Sequence, residues 1–353
     1  MADLVVAGAG MAGLAAAAEA RSRGADVNLI EKGDRAGGSM LLSSGMVWRH
    51  ATLDAFCEEC PDGDRELQAL IFERTESDIA WLESLGARVT ERGTGNPRTA
   101  GVRFDTGSLT RSLVRAAGEP RLRRPLQELP AGTPVVLATG GFPAGRELLR
   151  RHVTAEADDL LLRATPWSAG DGLTLGLQAG AAASAGLDQI YGRNMPAPPA
   201  RVEPADYVRL SQLYGRHASL ANVHGETYEA RTWSEIDVVQ WTARQPRARA
   251  WFTVAEEALS ERVRDRTVAE MVEAAERAGA PVERHGGSVT VETVAGVTST
   301  LGGLRVDTSA RAAPGVYAAG ADAGGIATGG YSSGLAAALV LGRVAAAAAL
   351  EDA

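Results

Sequence analysis

The sequence predicts an α/β fold built on a parallel sheet and interrupted by a smaller α+β cap domain. Three observations carry this. The chain opens on an apolar strand, a glycine turn and an alanine-rich helix; strands ending in paired glycines return near residue 140 and again near 320; and between about 187 and 285 the composition shifts toward aromatic residues and proline. The expected division is 1–186 and 291–353 for the two parts of the sheet domain and 187–290 for the cap.

Residues 3–7 read as a buried strand, 11–23 as a helix stopping near Gly24, and 26–30 as a second strand. The turn Gly8-Ala9-Gly10-Met11-Ala12-Gly13 therefore sits inside a βαβ unit of about 30 residues, the context that makes Gly-x-Gly-x-x-Gly a signature of Rossmann-like dinucleotide binding. Glycine permits the tight turn and lets backbone approach phosphate oxygens, while the helix start supplies unpaired N–H groups and a positive dipole end. Glu31, at the end of the second strand with Lys32 beside it, is placed to accept hydrogen bonds from both hydroxyls of an adenosine ribose.

Gly37-Gly38-Ser39 brings backbone close to a ligand again, and the run through Ser43, Ser44, Gly45 and Met46 to Trp48 reads as a pocket lining, with ordinary core packing as its alternative. Residues 64–85 form an amphipathic helix whose apolar positions, among them Leu67, Ile71, Ile79 and Leu82, are core. A strand from Val135 ends in Ala138-Thr139-Gly140-Gly141, and Leu126 reaches it across only a proline-containing turn. After Gly170-Asp171-Gly172 a helix is expected at 173–181, and the aromatic stretch with Tyr191, Tyr207, Tyr214, Trp233, Trp241 and Trp251 is expected to close with a helix over about 255–279. Strands follow at 304–307 and 316–319, then Gly320-Ala321-Asp322, then a last helix from Ser333.

A net charge of −8 with pI near 5.3 argues against a nucleic-acid surface and for a small-molecule partner. No apolar run reaches the roughly 18 residues of a membrane-spanning helix, and no secretory signal precedes the first strand, so a cytoplasmic protein without membrane partners is expected. Cys57-Glu58-Glu59-Cys60 has the spacing of a redox dithiol or half a zinc site; the second half is missing, so no metal is expected, and two reduced thiols are the plain alternative to a dithiol passing electrons.

With these pieces in order, the sequence resembles the fumarate reductase and succinate dehydrogenase flavoprotein superfamily, nearest its 3-ketosteroid 1-dehydrogenase and tricarballylate dehydrogenase branches. The segments that carry the resemblance are Gly8–Gly13 with Glu31, Gly37–Ser39 leading to Trp48, Ala138–Phe142, Gly170–Gly172, Leu301–Asp307, Val316–Asp322 and Ser333-Gly334-Leu335. It implies a Rossmann-like FAD-binding domain of the GR2 flavoprotein type and non-covalent FAD as cofactor, with Asp322 on the ribityl chain and the backbone at Ser333, Gly334 and Leu335 facing flavin N1 and C2. A helix dipole there would stabilise the negative charge of reduced flavin.

The charged substrate-binding residues of the fumarate-reducing members do not carry over. Their proton-donating arginine falls on Glu235, their histidine on Ser299, and a further arginine within Thr328–Gly330. These losses of positive charge argue against a dianionic substrate. The cap is short for the family, and the β-meander before Val135 is trimmed.

For desaturation next to a carbonyl, one group removes an α-proton as hydride leaves the β-carbon. Tyr331 is the first candidate, with the Ser332 N–H as carbonyl donor by analogy to the ketosteroid branch. Glu235 and Tyr228 are second candidates, against a reading in which Glu235 pairs with Arg231 at helical spacing. His217 and His224 read as structural. The leading expectation is an FAD-dependent oxidoreductase acting on a carbon–carbon bond beside a carbonyl of a largely uncharged molecule, with an unidentified electron acceptor. Two others stand beside it: an amine or alcohol oxidase, and a flavin-binding protein without catalysis.

Overall fold

The structure, a computed structural model, describes residues 2–352. The chain forms two compact units. The first holds the described residues up to Gly145, Ala164–Gln189 and those from Ser299 onward; the second holds Arg146–Arg163 and Ile190–Thr298.

In the first unit, β1 (Leu4–Ala7), α1 (Met11–Ser22) and β2 (Val27–Ile30) make the opening βαβ unit, with β1 and β2 parallel. Strand β3 (Met46–His50), helices α2 (Leu53–Glu59) and α3 (Arg65–Ser84), strands β4 (Val89–Arg92) and β5 (Thr99–Phe104) and helix α4 (Thr106–Ala117) follow. Then come β6 (Val135–Leu137), α5 (Asp171–Gln178), β7 (Arg311–Ala313), β8 (Val316–Ala318) and α6 (Gly334–Glu351). The main sheet runs β7-β8-β6-β1-β2, parallel apart from the β7–β8 pair, and β3-β5-β4 is a separate antiparallel sheet. All four residues of β1 and all three of β6 and β8 are buried, as continuous apolar runs in a sheet covered on both faces should be.

Small residues set how closely α1 and α6 approach. A Cβ on Gly342 would lie 2.3 Å from the Ala12 carbonyl oxygen, so the helices meet backbone to backbone. Arg343 crosses this junction. Its guanidinium bonds Glu19 (2.9 Å) and Asp78, whose side chain is 1% exposed, and lies 4.4 Å from the Trp81 ring centre. Burial drives the Asp78 carboxyl upward, while the arginines beside Glu19 outweigh its own burial and hold it low. The expectation that no segment is long and apolar enough to cross a membrane is corrected at α6: by length and composition it is, but more than half of it is buried and its arginine is held by α1 and α3.

The second unit is built around the strand Ser288–Thr300. It pairs with Arg249–Ala255 and Val282–His285 and, on its later residues, with the short strand Leu161–Leu162. That last pairing is why Arg146–Arg163, placed by sequence in the sheet domain, belongs to this unit. Helix Val268–Arg277 packs Met271, Val272 and Ala275 into a core with Tyr214, Phe252 and Val291.

Two sequence expectations are corrected. No helix spans 255–279: a 3-10 turn at Glu256–Ser260 and the pair Arg262–Val263 with Arg266–Thr267 occupy its first half, and the helix starts only where Thr267 and Glu270 form a capping box. Residues 304–307 are not a strand; Leu304 alone bridges Ala183 and Ala323, and β7 forms later, at Arg311.

Candidate functional site

The three glycines of the first turn have three separate jobs. Gly8 holds φ +108°, and a Cβ there would lie 2.1 Å from the Ala138 carbonyl oxygen, so the turn presses against the end of β6. A Cβ on Gly13 would lie 1.8 Å from the Gly8 oxygen, which fixes how tightly α1 packs on the turn. A Cβ on Gly10 would meet no atom within 4 Å, and no side chain caps the helix that Gly10 begins. The N–H groups of the first turn of α1 are thus left to a ligand. This is the division of labour a pyrophosphate site requires.

Glu31 closes the other side of this turn. Its carboxylate accepts from Ala9 N–H (2.7 Å) and Gly33 N–H (2.6 Å), one bond to each oxygen, and keeps lone pairs for a ribose. Arg124 N–H donates to the Glu31 carbonyl, so the segment leading to half-buried Leu126 lies along the end of β2. Lys32 and Asp171 form an ion pair with each other at 2.8 Å.

The second glycine pair lies against the first turn. Gly37 N–H donates to Ala9 O at 2.7 Å, and Gly38 approaches the Gly10 Cα closely enough that a Cβ would be 3.2 Å away. Ser39 Oγ accepts from Thr165 N–H, and Ser43 Oγ from Gly45 N–H, leaving Ser44 exposed. Gly320, at φ +65°, stands 3.1 Å by its missing Cβ from the Ala12 methyl, which places the turn after β8 at the start of α1.

Asp322 is corrected. The resemblance implies a bond to the ribityl chain, but its carboxylate is wholly buried and taken up by Thr139 N–H, Thr139 Oγ1 (3.1 Å) and Gly141 N–H (3.0 Å). It locks the Ala138-Thr139-Gly140-Gly141 turn to the Gly320 turn, with Gly172 packed against it. Burial pushes its pKa up even against those three donors.

At the start of α6, Ser333 is the N-cap and its Oγ accepts from Ala336 N–H at 3.2 Å. Tyr331 and Ser332 precede it, both half-buried, with the Tyr331 ring 5.3 Å from Trp48. Beneath them His50, 1% exposed, stacks on Phe56 at 4.9 Å, and burial pulls its pKa down to about 4. His50 and Cys60 lie beside the Tyr331 backbone, a placement that sequence reasoning missed. No periodicity marks a buried histidine in a strand that reads only as lining. Cys57 and Cys60 are both free thiols; Cys60 is buried, which pushes its thiol pKa up.

Thr328–Gly330, where the resemblance would place an arginine, have local reasons for their residues. Gly330 packs so tightly that a Cβ would lie 1.6 Å from the Glu59 carbonyl, Gly329 N–H donates to Gln189, and Thr328 is buried. No side chain fits at 330.

Glu235 and Tyr228 belong to the second unit. Glu235 is 9% exposed, sits at φ +57° ahead of helix Ile236–Ala243, and accepts from Gly215 and Arg216 N–H; burial raises its pKa. Because it precedes rather than joins the helix, the expected pairing with Arg231 does not form. Arg231 instead donates its N–H to Asp237 and lies over the Tyr228 ring. Tyr228 donates to Asp237 and stacks on Trp241, and its pKa is pushed up to about 12. His217 lines a cavity of about 400 Å3 with Arg216, Trp233 and Glu235, while His224 N–H closes a loop on Asn222.

The glycine turn, Glu31 and the parallel sheet define a dinucleotide-binding protein. Residues 3–131 and 122–335 match the model of an FAD binding domain family, and the chain belongs to that family. FAD is its cofactor, and the glycine cradle with Glu31 fits the adenosine diphosphate half of it. The chain is 29% identical over 119 residues to a probable fumarate reductase of Shewanella frigidimarina, a match spanning 29% of this chain and only 20% of that protein. Among solved structures it is similar to the open conformation of a flavocytochrome c3 fumarate reductase (TM-score 0.74, 19% identity, 99% of this chain and 78% of that one). It is also similar to 3-ketosteroid Δ4-(5α)-dehydrogenase of Rhodococcus jostii (0.72, 20%, 99% and 96%). A third is 3-ketosteroid Δ1-dehydrogenase of Sterolibacterium denitrificans (0.74, 14%, 100% of both). At these identities the likeness is one of fold.

Proposed function

We propose that the protein is an FAD-dependent oxidoreductase that desaturates, or in reverse reduces, a carbon–carbon bond conjugated to a carbonyl in a largely uncharged small molecule. The observation that carries this reading is the neutrality of the α6 start. Trp48, His50, Phe56 and Tyr331 gather there, and the one basic group among them is kept uncharged by burial. Such a floor offers no cation with which to clamp a dicarboxylate.

FAD, when bound, takes up or releases a hydride. Around it this chain's residues do the rest. Gly8–Gly13 with Gly37 and Gly38 hold the pyrophosphate, Glu31 the ribose, and the N-terminal N–H groups of α6 favour developing negative charge. Tyr331 is the proton-transferring side chain in this reading, and the Ser332 N–H polarises the substrate carbonyl. The substrate is a small molecule, the electron acceptor is a separate partner, and the acidic chain works in the cytoplasm without nucleic acid.

Anaerobic mixing of the holoprotein with saturated and α,β-unsaturated cyclic ketones tests it. Bleaching of the flavin by a saturated ketone, or reoxidation of reduced flavin by an enone, is expected, and Tyr331→Phe should slow either by roughly 100-fold. Bleaching by amines or alcohols alone, with rapid peroxide formation in air, would replace this reading by an oxidase.

A further inference from the structure

The Tyr331 backbone is held by two buried side chains. On one side, His50 Nε2 lies 3.3 Å from the Tyr331 carbonyl oxygen. A carbonyl can only accept, so His50 is the tautomer with its proton on Nε2. On the other, the Tyr331 backbone hydrogen-bonds the buried Cys60 thiol and offsets a part of the rise that burial causes in its pKa. Both partners are fixed in turn: His50 is stacked on Phe56, and Cys60 ends α2, with its own carbonyl taken by Gln68 Nε2 at 2.9 Å. Gln68 also reaches the Ile326 carbonyl at 3.0 Å, and so grips the loop that leads to Tyr331.

This clamp has a directional consequence. The one cis peptide among the described residues is Pro198–Pro199, so the Tyr331–Ser332 bond is trans. In a trans peptide the carbonyl of one residue and the N–H of the next point in opposite directions. With the Tyr331 carbonyl aimed inward at His50, the Ser332 N–H is aimed outward, and it donates to no acceptor among the described residues. A half-buried donor fixed this way needs no reorganisation to meet an oxygen that gains negative charge.

We propose that His50 and Cys60 are positioning residues that clamp the Tyr331 backbone and thereby aim the Ser332 N–H at the carbonyl oxygen of the substrate. This rests on the proposed carbonyl chemistry, and its test is chosen to stand apart from turnover. In the holoprotein, 15N NMR of the histidine rings should show His50 protonated on Nε2 alone. 4-Nitrophenolate, a stable mimic of an enolate, should bind to the oxidised holoprotein. His50→Phe, which keeps the stack on Phe56 but removes the donor, should weaken that binding roughly 10- to 100-fold with the flavin content unchanged. His50→Gln, which returns an N–H near the Nε2 position, should restore most of it, and Cys60→Ala supplies a second, milder loosening if His50→Phe does not fold.

A His50 proton on Nδ1, absent nitrophenolate binding, or undiminished binding in both His50→Phe and Cys60→Ala would overturn the proposal. Nitrophenolate binding that follows the variants as expected, with no turnover of any carbonyl compound, would leave the clamp standing and remove the proposed reaction.

Discussion

Helices α1 and α6 are both alanine-rich and lie packed against each other, yet they begin in opposite ways. α1 starts at a glycine with nothing over its N–H groups, whereas α6 starts at a serine that occupies one of them. Around the first, the acid Glu31 fastens the turn without covering it; around the second, a neutral aromatic cluster fills the floor. The difference teaches that one helix start is left open for a charged ligand, whereas the other is partly closed by its own cap and floored by uncharged rings.

Gly13→Ala should break the comparison most severely. Its methyl would stand 1.8 Å from the Gly8 oxygen, a backbone atom that cannot move without opening the turn. The purified protein should be colourless, and a normal ratio of flavin to protein absorbance would refute the assigned role. Next in size is the link between the two helices. Arg343→Met leaves Asp78 buried without its main partner and should cost about 3–5 kcal/mol in urea unfolding, whereas a loss under about 1 kcal/mol would show Asp78 to be satisfied elsewhere.

The floor of the α6 start is pH-sensitive. Unfolded, His50 takes a proton near 6.5; folded, only near 4. Its contribution is therefore whole above pH 6.5 and is lost as pH falls toward 4, by about 3 kcal/mol for a shift of this size. The gap between the unfolding free energies of native and His50→Phe protein should change by about that amount between pH 7 and pH 4, and parallel curves would contradict it.

Glu31→Gln sharpens the α1 end. The amide can accept from only one of Ala9 and Gly33 and presents a donor to the other, so FAD should bind about 10- to 100-fold more weakly by calorimetry. Smallest is Ser333→Ala, about 1 kcal/mol of stability from the lost cap with FAD affinity nearly unchanged. A large loss of FAD there would mean that the two helix starts are not separate in function.

Much of the α1 end was legible in the sequence because its chemistry is local. A glycine's open side, a strand's last residue and a helix start are all set within the 22 positions separating Ala9 from Glu31. What the sequence misplaced depends on distant partners. Asp322 reads as a ligand contact, yet its carboxylate is used by Thr139 and Gly141, far away along the chain. Glu235 has helical spacing to Arg231, but a left-handed backbone turn precedes the helix and breaks that spacing. The expected strand at 304–307 gave way because Leu304 finds single partners on either side rather than a continuous ladder.

The closeness of α1 and α6 bears on how the chain is made. Arg343 and Glu19, joined side by side, are 324 positions apart, and the helix that opens the βαβ unit has its neighbour only when the last helix has been synthesised. Until then the alanine face of α1 and the Asp78 carboxyl lack their cover. Cofactor loading therefore waits for α6, and a ribosome paused before α6 would hold a nascent polypeptide with the glycines of the opening turn in place and no stable seat for FAD.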